Sequence, residues 1–485
     1  MSKYPKVAQL RSVQQFQSHL AGLGLNIPCD DRLLSSEEGS PLAQPLDVAG
    51  MRVGNRWCIH PMEGWDAHRD GSPSPKTVRR WERFGQSGAK LIWGGEAAAV
   101  QAVGRANPNQ TLATAENSAG LRQLLEALRK SHLQSFGSLD GLVVGLQLTH
   151  SGRFCKPNSH KTWEPKIAYH HPLLDPKFQI DTHDDSCLLT DDDLFRLIDD
   201  FVAAAKLAYS VGFDFVDIKA CHGYLLHELL SARTRPGRFG GDLEGRSRVL
   251  LSAVKRVRDE CPELRIGVRL SLFDTLPYQS GPEHGQPLPW DGSQNYLYGF
   301  GVHVENPLEI DLTEPIELVR KLCDAGVSML NLSCGSPYYN PHIQRPAIFP
   351  PSDGYQPPED PLTGVARQIK AVAELKSALP DVPLVGSGYT YLQEFLPLVA
   401  QAVVRKKWVD FVGLGRMVLS YPTLPADSLA GIQPTRKLIC RTFSDCTTAP
   451  RNGMVSGCYP LDDFYKRMPE REELSRLKGD TGRAT

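Results

Sequence analysis

Residues 213–241 read FDFVDIKACHGYLLHELLSARTRPGRFGG. Phe213, Phe215, Val216 and Ile218 form an apolar alternating run that ends abruptly in Lys219, His222 and Tyr224. The chain then turns amphipathic (LLHELL) and enters a loop rich in glycine and arginine. This is the profile of a buried strand whose C-terminal end presents titratable side chains and feeds a following segment. A buried strand has no structural need for such groups, so they are expected to face a site and to handle protons there.

Working outward, the same strand signature recurs. The runs are WCIH (57–60), KLIWGGEA (90–97), GLVVGLQL (141–148), FDFVDIK (213–219), RIGVRLS (265–271), VSMLNLS (327–333), VPLVGSG (382–388) and VDFVGLG (409–415). Helical patterns at 121–130, 189–212, 247–260, 315–326 and 365–379 lie between them. Thr190 followed by Asp193 reads as a capped helix start. Strand–helix alternation implies a parallel sheet, and eight repeats imply a closed (β/α)8 TIM barrel of the α/β class. No GxGxxG follows an early strand, which speaks against an open doubly wound sheet. Residues 1–50 read as a polar, turn-rich N-terminal arm, 51–430 as the barrel, and 431–485 as a C-terminal extension. Three long connections (149–188, 272–312 and 334–364) each follow a strand, so they belong at the C-terminal mouth of the barrel.

The composition fits a globular enzyme. Of 485 residues, 41% are hydrophobic and 22% charged. A net charge of −1 gives no bulk field for nucleic acid or an anionic membrane. No apolar run reaches the roughly 18 residues of a membrane span. The eleven cysteines are scattered and odd in number, and no export signal precedes them. Reduced thiols and a cytoplasmic location are expected. The expected partner is a small-molecule substrate, with monomer and homo-oligomer both left open.

Each strand end carries unusual residues. The first gives HPMEGWD, placing His60, Glu63 and Asp66 at the mouth. The third ends in Gln147 and the fifth in Arg269. The seventh and eighth end in Gly386-Ser387-Gly388 and in GLGR, with Gly415 and Arg416. Glycine-rich turns at those two strands let backbone N–H groups converge on a phosphate, and Arg416 adds a charge-assisted contact. A side-chain amide such as Gln147 offers both donor and acceptor to the imide edge of a flat heterocycle. An arginine near a ring nitrogen stabilises negative charge there. Ordinary barrel-mouth hydrogen bonding would explain Gln147 and Arg269 equally well.

Together, HPME, LIWGGEAAAV, LQLTHSGR, IKACHGYLLHELLSA, RFGGDLEGRSR, VRLS, GSG and GLGR resemble the motifs of the old yellow enzyme family, FMN-binding (β/α)8 barrels. The resemblance runs from about residue 50 to 425. It implies FMN as cofactor and NAD(P)H as electron donor. It also implies hydride transfer through flavin N5 to an activated alkene (enone, enoate or enoyl thioester). Gln147 would meet the pyrimidine edge and Arg269 the N1/O2 side. Gly388, Gly415 and Arg416 would hold the phosphate, and Pro61, Met62 and Ala97 or Ala98 would line the ring. Tyr224 would donate the proton, while Lys219 and His222 would bind the substrate oxygen.

Two positions depart from the family pattern: Lys219 where histidine is usual, and Glu63 where threonine or cysteine is common. A Glu63–Lys219 charge pair is the expectation, against an outward-turned Glu63. Oxidative amine dehydrogenation or demethylation, or a non-catalytic flavin-binding role, are the competing functions. Arg233, Arg235 and Arg238 read either as contacts for an anionic substrate or the nicotinamide nucleotide's phosphates, or as a solvated face, the latter for at least two of them. The chain looks nearest to the 2,4-dienoyl-CoA reductase and trimethylamine dehydrogenase branch, but with the barrel only. In that branch a four-cysteine iron–sulfur motif follows the barrel. Here only Cys440, Cys446 and Cys458 stand nearby, one short of an all-cysteine set. No cluster and no metal are therefore expected, against a zinc site or a cluster using another ligand.

Overall fold

The computed structural model describes residues 4–481. Its centre is a closed ring of eight parallel strands. They are β1 (Trp57–Ile59), β2 (Leu91–Ile92), β3 (Val143–Thr149), β4 (Phe215–Ala220), β5 (Arg265–Ser271), β6 (Met329–Ser333), β7 (Leu384–Gly386) and β8 (Phe411–Leu414). Neighbours in sequence are neighbours in the ring. The ring closes through β8 with β1, where Val412 faces Trp57, and through β2 with β3, where Leu91 faces Val143. The eight-stranded barrel read from the alternation is therefore the observed fold.

Helices α1 (Pro75–Gly85), α2 (Ser118–Phe136), α3 (Asp191–Val211), α4 (Leu243–Glu260), α5 (Thr313–Ala325), α6 (Pro361–Ala378) and α7 (Leu396–Arg405) follow β1 to β7. The start of α3 shows why it forms where it does. The Thr190 side chain accepts from the Asp193 N–H, and the Asp193 side chain accepts from the Thr190 N–H. Leu194, Leu197, Ile198, Phe201, Ala205 and Ala208 then return every three or four residues to one buried face. Gly212, at φ 104, ends the helix in the left-handed region that glycine tolerates.

Two features differ from the sequence reading. KLIWGGEA is not one strand. It breaks at Gly94 and Gly95, and a second short strand, Ala97–Ala99, pairs with β3 further along. A Cβ on Gly94 would lie 2.8 Å from the Gln147 backbone nitrogen, so the two pieces can approach β3 only without a side chain there. The N-terminal segment is more ordered than a turn-rich arm. It holds a helix, Val13–Gly22, whose Phe16 stacks on Phe395. It then enters an antiparallel hairpin, Leu46–Val48 with Met51–Val53. Val48 and Val53 pack on Phe215, Met329 and Phe411, the first residues of β4, β6 and β8. The hairpin thus closes the N-terminal end of the barrel, leaving the C-terminal end as the place for a cavity.

After β8, short helices at Asp445–Arg451, Asp463–Lys466 and Glu470–Thr481 gather around Met454, Tyr459, Tyr465 and Leu474. Arg79 on α1 fastens this extension through two 2.9 Å hydrogen bonds to Asp462. Among the described residues, no helix is long and apolar enough to cross a membrane.

Candidate active site

A cavity opens at the C-terminal end of the barrel. Nearly all the residues singled out from the strand ends line it: Pro61, Met62, Glu63, Gln147, Lys219, His222, Tyr224, Arg269, Ser387, Gly388, Gly415 and Arg416. Ala97 and Gly386 are buried in their strands and do not line it. Of Arg233, Arg235 and Arg238, none reaches it. The expectation of a mainly solvated face needs correction. Arg235 is buried against Asp191 and Arg233 pairs with Glu314, so only Arg238 is exposed.

The floor is set by a polar core inside the barrel. Asp217, in the middle of β4, is fully buried. One of its carboxylate oxygens accepts from the Gln147 side-chain amide at 2.5 Å and the other from the Arg269 backbone N–H at 2.6 Å. Burial pushes its carboxyl up to about 6. It fixes which way the Gln147 amide faces. His60 is also buried, and burial, followed by the positive charge of Arg269, holds it well below its ordinary pKa. Asn331 donates to His60 Nδ1 at 3.0 Å, so the neutral ring carries its proton on Nε2. That N–H donates to Ser387 Oγ at 3.0 Å, which frees the Ser387 hydroxyl proton for the cavity.

On one side, Glu63 is a hub. Lys219 Nζ donates to its Oε1 at 2.5 Å and the Tyr224 hydroxyl to its Oε2 at 2.5 Å. Lys219 Nζ also lies 3.6 Å from the centroid of the Tyr224 ring, a cation–π distance. The Tyr338 hydroxyl is 3.2 Å from that of Tyr224. Burial, and then the Glu63 charge, push the Tyr224 phenol well above 10. Beside them His222 sits at φ 67, an unusual conformation for a residue with a side chain. Its N–H donates to Ser271 Oγ at 3.0 Å, and its Nε2 lies 2.8 Å from Ser333 Oγ and 3.3 Å from Gln344 Nε2. Burial, with Arg269 and Lys219 nearby, keeps this ring neutral.

The other side is cationic and incomplete. Arg416 Nη2 donates to the Pro346 carbonyl at 3.2 Å, but its Nη1 is buried without a partner. Arg345 donates one Nη to Thr447 and leaves the other buried and unpaired. Arg269 Nε is likewise buried without a partner. Among the described residues none of these three arginines has a carboxylate partner. Burial, followed by the charges of Arg451 and Arg416, drives Arg345 down to about 9, so the protein alone does not satisfy it. Gly388, at φ 92, and Gly415, over which a Cβ would meet nothing within 4 Å, edge the same region. Unpaired guanidinium groups beside open backbone turns can hold a phosphate, and an oriented amide opposite Arg269 can meet a flat polar ring.

Several participants carried no signal in the sequence. Tyr338, Gln344 and Arg345 come from the connection 334–364, where no periodicity marks them. Thr447, Pro450, Arg451 and Ser456 line the cavity from beyond the barrel, together with Cys446, which the sequence offers only as a weak metal candidate. Asp217 was visible only as a lone acid within an apolar strand. Cys440 and Cys446 are half-buried and Cys458 is buried. Among the described residues no group of three or more histidine, cysteine or acidic side chains is placed to hold a metal ion.

The comparisons agree with this architecture. A flavin oxidoreductase from Gibberella zeae, "NADH:flavin oxidoreductase FG08077", is 30% identical over 264 residues, covering 52% of this chain and 61% of that protein. An NADPH dehydrogenase from Geobacillus sp. (strain WCH70) is 25% identical over 394 residues, covering 79% of this chain and 92% of its own. The chain spans about three fifths of the length of the curated relatives it first matches. The solved structure of an old yellow enzyme homologue from Zymomonas mobilis superimposes with a TM-score of 0.54 at 20% identity, covering 82% of this chain and 98% of that one. At that identity the likeness shows the shared barrel. The sequence pattern of one family spans residues 41–286, about half the chain, and includes β1 to β5 with the Lys219–Tyr224 segment. The chain belongs to the NADH:flavin oxidoreductase / NADH oxidase family.

Proposed function

We propose that the protein binds FMN, draws reducing equivalents from NAD(P)H and reduces an activated alkene beside a carbonyl or thioester, with Tyr224 as the proton donor. One observation carries this reading: a single cavity joins an anion-deficient arginine wall to a wall of proton-bearing groups. FMN, when bound, supplies the hydride acceptor and donor. Arg345, Arg416 and the turns at Gly388 and Gly415 hold its phosphate. Gln147, held by Asp217, meets the imide edge, and Arg269 supports negative charge on the ring. The Ser387 hydroxyl, freed by His60, adds a donor.

On the substrate side, Tyr224 is buried with its hydroxyl at the cavity edge and protonates the carbon next to the activating group. Lys219 and His222 polarise the substrate oxygen. Both already have partners: Lys219 keeps Glu63 on one N–H and can offer a substrate another, while a substrate competes with Ser333 and Gln344 for His222. The competition favours oxygens on which negative charge builds strongly. Replacing Tyr224 with Phe is expected to leave flavin bleaching by NADPH intact and to slow reoxidation by an enone about 100-fold. Anaerobic stopped-flow measurement of the two half-reactions checks this; an equal loss in both would remove Tyr224 from the role.

The Glu63–Lys219 pair also supports a second reading. Lysine alone would repel a cationic amine, but Glu63 cancels its charge, so amine oxidation at the same site is chemically open. Anaerobic bleaching of the flavin by amines, without NAD(P)H, would favour it. A purified protein that carries no flavin after reconstitution would instead support a scaffold role.

A further inference from the structure

We propose that Glu63 and Lys219 form the proton supply behind Tyr224, so that Lys219 replaces, through the Glu63 carboxylate, the proton that Tyr224 gives to the substrate. This rests on the reading of Tyr224 as the donor in alkene reduction.

The geometry is that of a relay. Glu63 uses one carboxylate oxygen for Lys219 and the other for Tyr224, each at 2.5 Å. A charge pair made for stability alone needs only Lys219 and Glu63. Here a second donor, Tyr224, sits on the same carboxylate, and the ammonium group lies over its ring at 3.6 Å. The site is shielded from water: the Lys219 and Glu63 side chains are 5% and 14% exposed, and Tyr224 is 2% exposed. In the resting arrangement the phenol proton points at Glu63 rather than into the cavity.

Tyr224 cannot therefore act alone. If it lost its proton with Glu63 still ionised, a phenolate and a carboxylate would stand in hydrogen-bond contact inside a poorly solvated site, where like charges repel strongly. The upward push on the Tyr224 phenol by Glu63 has the same origin. Lys219 removes the difficulty. The Tyr224 O–H bond breaks as a C–H bond forms on the substrate carbanion. In the same step one Lys219 N–H bond breaks and its proton bonds to Glu63 Oε1; the neutral carboxyl group then rotates, and that O–H bond breaks as the Tyr224 O–H bond re-forms. Glu63 ends ionised, Lys219 ends neutral, and the negative charge of the carbanion has been neutralised by the ammonium proton. Lys219 recovers its proton from solvent once the product has left. Arg269, His222 and Cys221 are other charged or titratable groups near Lys219, and none of them is hydrogen-bonded to its ammonium group. Tyr338, 3.2 Å from Tyr224, offers the one competing proton route through a hydroxyl.

The test uses the holoenzyme reduced with NADPH and reoxidised anaerobically by 2-cyclohexenone in mixtures of H2O and D2O. Two protons moving together give a curved dependence of the reoxidation rate on deuterium fraction, whereas a lone Tyr224 transfer gives a straight line. Lys219→Met and Glu63→Gln are expected to straighten the line and slow reoxidation about 100-fold. The neutral double variant Lys219→Met/Glu63→Gln, which leaves no buried lone charge, gives the same result if a single variant does not fold. A straight line in the unaltered enzyme, a Lys219→Met variant at full speed, or straightening by Tyr338→Phe instead would overturn the relay. A second readout needs no alkene: ultraviolet titration of tyrosinate. Glu63→Gln should lower the ionisation of one tyrosine by about a unit or more, and the change should vanish in Glu63→Gln/Tyr224→Phe. No such change overturns the relay. A wild-type flavin that no enone reoxidises sinks the alkene reading, and the titration then decides the coupling separately.

Discussion

The two walls of the cavity satisfy their charges in opposite ways. Glu63, Lys219 and Tyr224 are complete as they stand, each bonded to another of the three. Arg345, Arg416 and Arg269 are incomplete: none has a carboxylate partner among the described residues, and each keeps a buried nitrogen without a hydrogen bond. Buried charges are normally paired, so an unpaired cluster of one sign marks a missing anion. A closed cluster marks groups that exchange protons or hold shape among themselves. On the proposed function, the open cluster is the side that binds and the closed one the side that reacts.

The sharpest way to test this contrast is to open a closed cluster. Arg80 donates to Asp66 and Glu96 beneath the first strand end, and Glu96 accepts from the Gly64 N–H at 3.2 Å, next to Glu63. All three side chains are buried. Arg80→Ala leaves two buried carboxylates without a cation and is expected to cost about 3–5 kcal/mol of stability, read from denaturant unfolding of the flavin-free protein. An open cluster should respond the other way. Arg345→Met removes a cation that its neighbours repel, so flavin-free stability should hold or rise slightly. FMN affinity should fall by about 2–3 kcal/mol, roughly 30–150-fold, in a fluorescence titration. If Arg345→Met instead destabilised the flavin-free protein as much as Arg80→Ala, the contrast would collapse.

The smallest effect concerns acid. His60 and His222, between the walls, are held well below 6.5 by burial first and by Arg269 next. In the unfolded chain they take up protons near 6.5. Below that pH the unfolded state binds more protons than the native one, so their contribution to stability is complete above about 6.5 and is lost as pH falls. His60→Gln should make the acid limb shallower in unfolding midpoints measured at several pH values. An unchanged slope would mean that His60 is protonated in the fold.

The barrel was legible because its evidence is periodic. Apolar runs such as VSMLNLS and VDFVGLG alternate with helices, and the strand ends carry polar residues that a core does not need. The same rule brought out Glu63, Gln147, Lys219, Tyr224 and Arg269. Ala97 and Gly386 were carried along with their motifs rather than picked by chemistry, and they are buried at strand ends without lining the cavity. Arg345 and Tyr338 were illegible for a physical reason. They sit on an irregular connection, and irregular backbone has no period from which facing can be read. The helix at Val13–Gly22 was missed because its reading VQQFQSHLAG shows only two buried apolar anchors, Phe16 and Leu20. The break in KLIWGGEA is different: the glycines were in plain view, but their meaning depends on Gln147 in the neighbouring strand.

The helix Asp445–Arg451 has a further consequence. Cys446, Thr447 and Arg451 line the cavity, and Thr447 accepts from Arg345 on a connection some hundred positions earlier in the chain. On a chain made from its N-terminus, all eight strands leave the ribosome before this wall exists. The barrel can close while its cavity still lacks a side. On the proposed function, capture of the cofactor is thereby tied to late synthesis, and a C-terminally clipped chain would retain it poorly.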